Sequence, residues 1–179
     1  MLRLFKKNKK TVFNRLYESY CDQLFLLVLR YVVSQFDAEE ILQRGFIKIY
    51  EALDNFKFKN EKATLGWLNQ IMVNESLLFL REQKRLTLAN EGEFQDLSIL
   101  QTPEIENKLE LESCLKLVRS LPDGYRTVFN LYVIEGYSHK EIAKKLNISE
   151  SASRSQLSRA RNTLKIQLKS TNYAAKYVG

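Results

Sequence analysis

Two prolines and six glycines in 179 residues leave little to break a helix or make a tight turn. That scarcity argues against a turn-rich β fold and for long helices. Cysteine is also scarce. Cys21 and Cys114 make neither a disulfide framework nor a metal cluster. Both fall within apolar helical patterns, where small core residues in a reducing compartment are expected. The one histidine, His139, is expected to face solvent or a phosphate rather than to do catalysis. No glycine-rich phosphate loop and no nucleophile signature occurs, so no enzyme, no cofactor and no small-molecule substrate are expected. The most apolar stretch, Leu24 to Val33, is interrupted by Arg30. It falls far short of the ~20 residues that cross a bilayer. The basic start, Met1 to Lys7, leads into no apolar signal core. No membrane insertion is expected, and the protein reads as soluble and cytoplasmic.

What is abundant is apolar surface, 45% of residues, and positive charge, a formal +7. The first excludes wholesale disorder. The second suits an anionic partner. Its distribution says more. From Ser151 onward the charges are Arg154, Arg159, Arg161, Lys165, Lys169 and Lys176, with no acid. From Thr87 to Glu106 they are Glu91, Glu93, Asp96, Glu104 and Glu106, with no base.

Spacings of three and four predict three helices before residue 87. The first carries Phe13, Leu16, Tyr17, Tyr20, Leu24, Leu27, Val28 and Tyr31. The second begins at Asp37, where Asp37-Ala-Glu-Glu40 resembles a capping box, and carries Ile41, Leu42, Phe46, Ile49, Tyr50 and Leu53. The third runs from about Ala63 to Arg85, with Trp67, Leu68, Ile71, Met72, Leu78 and Phe79 inward. The stretch 87–106 has no strong period and is longer than a typical connection within one domain. It reads as an acidic linker between a domain at 8–86 and another at 107–171. The predicted class is all-α, with two small helical domains. In the second domain Leu111, Leu115, Val118 and Leu121 mark one helix. Pro122 opens the next, which carries Val128, Phe129, Tyr132 and Val133.

The sharpest local signal follows. Ser138-His-Lys-Glu141 is a capping box that starts a short helix, with Ile142, Ala143 and Leu146 inward. Asn147 suits the left-handed position that ends it. Ser149 caps a second helix, with Ala152, Leu157, Ala160 and Leu164 inward. Helix, tight turn, helix is the arrangement of a DNA-binding helix-turn-helix. The outer face of its second helix carries Arg154, Ser155, Ser158, Arg159 and Arg161, which suit guanine edges and phosphates.

Residues Leu121 to Leu146 and Arg154-Ser-Gln-Leu-Ser-Arg-Ala-Arg161 resemble the C-terminal domain of extracytoplasmic-function (ECF) sigma factors of bacterial RNA polymerase. Leu16-Tyr-Glu-Ser-Tyr20, Asp37-Ala-Glu-Glu-Ile-Leu-Gln43, Trp67-Leu68 and Asn74 are similar to the N-terminal domain. The resemblance covers about residues 10 to 170. It implies a non-catalytic factor whose partners are core RNA polymerase, promoter DNA and an anti-sigma factor. Arg154, Ser155, Ser158, Arg159 and Arg161 would contact the −35 element. Asp37, Glu40 and Gln43 resemble the surface that docks on the polymerase clamp helices. The loop from Asn55 to Lys62, with the third helix, resembles the −10 reader. There Phe56 and Phe58 would stack on a base or close the core, and Lys57, Lys59 and Lys62 would hold phosphates. Trp67 fits the core better than a stacking platform. Asn74, Lys84 and Arg85 would line the single-strand path. The acidic linker would thread the basic channels of polymerase. Two departures stand out. The family often has an acid after the glutamine of the second helix; here Arg44 and Gly45 follow Gln43. The recognition helix usually opens with Gly-Thr; here it is Ser151-Ala152-Ser153. The alternative reading is a stand-alone helix-turn-helix regulator that dimerises through its N-terminal helices.

Overall fold

The computed structural model describes residues 8–89 and 109–170. The acidic stretch with Glu91, Glu93, Asp96, Glu104 and Glu106 lies outside them. No strand occurs among the described residues, and none of their helices is long and apolar enough to cross a membrane. The chain divides into two compact units, Met1–Glu91 and Gly92–Gly179.

The N-terminal unit holds α1 (Lys9–Leu29), α2 (Gln35–Ala52) and α3 (Glu61–Ala89), each packed on the other two. Asn8 caps α1 by accepting from the amide of Lys10 at 3.0 Å. The cap of α2 is Ser34, whose hydroxyl accepts from the amide of Asp37 at 3.2 Å. Asp37 therefore sits in the first turn and is not the capping residue. Asn60 caps α3, accepting from the amide of Ala63 at 2.8 Å. That earlier start places Lys62 in the helix instead of the loop. At its other end α3 continues to Ala89, four residues past the expected Arg85.

Leu24, Val28, Tyr31, Ile41, Ile49, Leu68 and Met72 are fully buried at the centre. Gly45 has a packing role. A methyl group on it would lie 2.7 Å from Cε of Met72 and closer still to Sδ. The glycine lets α2 accept the buried Met72 side chain, which offsets the roughly 1 kcal/mol that glycine costs a helix. Some expected positions turn out otherwise. Leu78 is exposed and Leu77 is buried in its place. Cys21 is only half-buried.

The C-terminal unit holds α4 (Leu109–Arg119), α5 (Asp123–Phe129), a π-helical turn (Asn130–Ile134), α6 (His139–Leu146) and α7 (Glu150–Ser170). Pro122 stands at the N-cap position of α5, just outside the helix, without a side-chain capping bond. Leu121, Val128, Leu131, Ile142, Leu157 and Ala160 form the core. The π-helical turn was not expected. Its bonds span five residues instead of four, as from the Glu135 amide to the Asn130 carbonyl, and this shifts the inward face. Asn130 and Leu131 are buried, and Val133 is exposed where an inward residue was expected. Cys114 is also exposed, which corrects its expected core placement.

Candidate nucleic-acid interface

Local chemistry sets the helix-turn-helix. Ser138 accepts from the amide of Glu141, and the Glu141 carboxylate accepts from the amide of Ser138 at 2.8 Å. This reciprocal pair starts α6. The Ser138 hydroxyl, donating to the same carboxylate at 2.6 Å, and then the Ser138 amide hold the Glu141 carboxyl below its ordinary range. Asn147 ends α6 at φ 53°, in the left-handed region. Ser149 then caps α7, accepting from the amide of Ala152 at 3.0 Å.

Arg154, Ser155, Ser158, Arg159 and Arg161 are all exposed on α7. Arg154, Ser158 and Arg161 are spaced by four and three, and Ser155 and Arg159 by four, so the five form one continuous face. Each arginine has a different handle. Arg154 pairs with the Glu150 carboxylate at 2.8 Å. Arg159 donates to the Tyr125 hydroxyl at 3.2 Å. Arg161 lies over the Tyr132 ring, 5.8 Å from its centroid.

His139 is only partly open to solvent. It is half-buried, its Nδ1 lies 2.9 Å from the Ser153 hydroxyl, and its ring stacks on Tyr132 at 4.4 Å. Burial, then the nearby Arg154, pushes its pKa below the ordinary value. The histidine thus ties the two helices of the motif together through Ser153, which is fully buried. The inward position at the start of α7 is Ser153, while Ala152 is half-buried.

In the N-terminal unit Phe56 is half-buried and stacks on Trp67, with centroids 4.0 Å apart and planes at 21°. Trp67 is itself half-buried, with Phe56 against one face of its ring. Phe58 is half-buried, and Lys57, Lys59 and Lys62 are exposed around it. Asn74 is exposed and accepts from Gln70 at 3.0 Å. Trp67, Asn74, Arg81 and Arg85 recur at intervals of seven and four, along one face of α3. Lys84 and Lys62 are exposed but fall off that stripe. Arg81, on the stripe and exposed, escaped sequence reasoning because it matched no motif.

The two sides of α2 differ sharply. Toward α3 runs a polar ladder. Gln83 donates to Asp37 at 3.4 Å, Arg44 pairs with Glu82 at 2.8 Å, and Lys48 pairs with the buried Glu75 at 2.5 Å. Arg44 also holds Glu40 at 2.5 Å. Burial raises the Asp37 carboxyl above its ordinary range, opposed by the Gln83 hydrogen bond. Asp37 and Glu40 are thus engaged inside the unit, and Arg44 serves as the bridge from α2 to α3. Toward α1 lies an apolar groove of about 470 Å³, lined by Phe13, Tyr17, Leu42, Phe46, Ile47 and Tyr50 with Gln43 and Glu51. Phe13 meets Phe46 and Tyr50 edge-on at 6.0 and 5.2 Å. Gln43 alone of the three expected docking residues borders this groove.

Residues 16–86 match the Sigma-70 region 2 family, and residues 111–164 match Sigma-70, region 4. Over 170 residues the chain is 31% identical to the ECF RNA polymerase sigma-E factor of Haemophilus influenzae, covering 89% of this chain and 88% of that protein. The chain belongs to the ECF sigma factors. The sigma-E factor of Escherichia coli K12 is 28% identical over 171 residues, covering 89% of this chain and 87% of that one. Among solved structures, the sigma factor RpoE, determined in complex with the anti-sigma factor NepR from Bartonella quintana, matches with TM-score 0.59 and 25% identity. That match spans 88% of this chain and 96% of the other. An ECF sigma factor binds core RNA polymerase, recognises promoter DNA and directs transcription initiation, so the stand-alone regulator reading falls away. The region 2 match accounts for the N-terminal helices that such a regulator would use to dimerise.

Proposed function

We propose that the exposed face of α7 reads the −35 element in the major groove, with Arg154, Ser155, Ser158 and Arg159 on base edges and nearby phosphates and Arg161 on phosphate. The observation that carries this reading is the continuity of that face behind a capped α6 and a left-handed Asn147. The ion pair with Glu150 gives Arg154 a partner it must partly release for DNA. The N-terminal unit takes the −10 role. Phe56 on Trp67 forms a flat aromatic pair beside Lys57, Lys59 and Lys62, the combination that suits an unstacked base and its backbone. Asn74 and Arg85, with Arg81 added, extend a polar and basic track along α3, and Lys84 adds charge to one side of it. The acidic stretch 87–106 would occupy polymerase channels that otherwise hold nucleic acid.

Core polymerase docks on the α1–α2 groove, with Gln43 at its border. Asp37 and Glu40 contribute indirectly by fixing α2 against α3. An anti-sigma factor would cover the same apolar groove. The protein acts in the cytoplasm, carries no catalytic site and uses no cofactor.

Arg159→Ala is expected to weaken binding of polymerase holoenzyme to its promoter by ~1–3 kcal/mol and to relax the preference at one −35 base pair. Fluorescence anisotropy over a set of −35 variants measures both. Unchanged affinity across the whole set would remove Arg159 from the interface.

A further inference from the structure

The recognition helix is contacted by a residue outside the helix-turn-helix itself. Gly124 in the first turn of α5 lies against α7: a methyl group there would sit 3.2 Å from Oε1 of Gln156. This close approach brings the next residue, Tyr125, beside Arg159, one turn beyond Gln156 on α7. The Tyr125 hydroxyl accepts from Nη1 of Arg159 at 3.2 Å. Tyr125 is half-buried and Arg159 is exposed. The following residue, Arg126, is almost fully buried and donates to the carbonyls of Arg119 and Leu121. The first turn of α5 is therefore anchored on its inner side, and it presents one phenol to the outer face of α7.

We propose that Tyr125 is a positioning residue that holds the Arg159 guanidinium in the conformation that reads the −35 element. This rests on the assignment of Arg159 to that element. The chemistry of the partner matters. A phenol oxygen is neutral, so it does not repel an approaching phosphate as the Glu150 carboxylate beside Arg154 does. It takes one of the five guanidinium N–H groups and leaves the others for a base edge. An arginine on an exposed helix face otherwise samples many rotamers, and ordering it on binding costs affinity.

The test uses holoenzyme reconstituted from the full chain and bacterial core polymerase. Its probe is a promoter duplex selected by that holoenzyme from a random pool. Tyr125→Phe removes only the hydroxyl. It is expected to weaken binding about 3- to 10-fold and to flatten the preference at the base pair that Arg159→Ala also affects. Added to Arg159→Ala, the same substitution is expected to change affinity less than about 2-fold, because the pair couples. The melting midpoint of Tyr125→Phe should match that of the parent chain. Equal weakening in both backgrounds would make Tyr125 a DNA contact or a structural residue in its own right and overturn the proposal, as would no effect in the parent background. If Arg159→Ala alone leaves affinity unchanged, the assignment of Arg159 fails first and the positioning role fails with it.

Discussion

Ile47→Asp is expected to weaken the complex with core RNA polymerase by about 100-fold while leaving the fold of the chain intact. Both halves of that expectation come from exposure. Ile47 is 60% exposed, so a carboxylate there costs the isolated protein little. Yet it lines the groove between α1 and α2, beside Phe46 and Tyr50. The aromatic side chains of that groove contact one another more than they cover one another, and Tyr17 and Tyr50 remain 46% and 41% exposed. A patch of this kind gains most from being covered by a partner, and a buried unpaired carboxylate at its centre is costly. The control is Glu82→Gln, on α3 in the ladder that faces α2, which is expected to leave polymerase affinity within about 3-fold, the scale of an exposed ion pair. Titration of fluorescently labelled chain with core enzyme measures both, and circular dichroism checks the fold. Unchanged affinity for Ile47→Asp would move the docking surface off the groove.

Arg126→Ala is expected to destabilise the C-terminal unit by about 3 kcal/mol. Arg126 is 2% exposed and donates to the carbonyls of Arg119 at 2.8 Å and Leu121 at 3.0 Å, and to the Asp123 carboxylate at 2.5 Å. Burial lowers its pKa, but a guanidinium stays charged at any relevant pH. Alanine would leave two carbonyls near the end of α4 without these donors and open a cavity. Small domains are stable by only about 5–15 kcal/mol, so the loss is a large fraction of the total. A drop of roughly 10–20 °C in the midpoint of that unit follows. Trp67 is the one tryptophan in the chain and lies in the N-terminal unit. Its fluorescence melt should therefore stay in place while part of the circular dichroism melt moves down. A shift under about 3 °C would show that the carbonyls find other donors.

Much of the C-terminal unit was legible in the sequence because its signals are local. The Ser138–Glu141 capping box, the left-handed Asn147 and the Ser149 cap each depend on residues a few positions apart. The outward arginines follow from helical periodicity once those ends are fixed. Features that depend on distant residues were not legible. Tyr125 and Arg159 stand 34 positions apart, and Arg44 and Glu82 stand 38 apart. Asp37 and Glu40 read as docking or capping residues, because a sequence shows charge but not the ladder that also engages them. Gly45 looked like a weak point because Met72, which fills the space beside it, is 27 positions away. The sequence put His139 toward solvent or a phosphate and did not show its partner, because Ser153 occupies an inward position usually given to an apolar residue. The groove escaped for a related reason. Periodicity marks Phe13, Tyr17, Leu42 and Tyr50 as one apolar stripe on each helix, and only packing shows that the stripes are wider than the core they enclose.

Size-exclusion chromatography of the full chain with bacterial core RNA polymerase shows whether the two form a holoenzyme. Co-elution is expected at one chain per core enzyme, with a promoter-dependent transcript from the eluted complex. Separate elution of two folded proteins, with no inhibitor bound to either, would contradict that expectation.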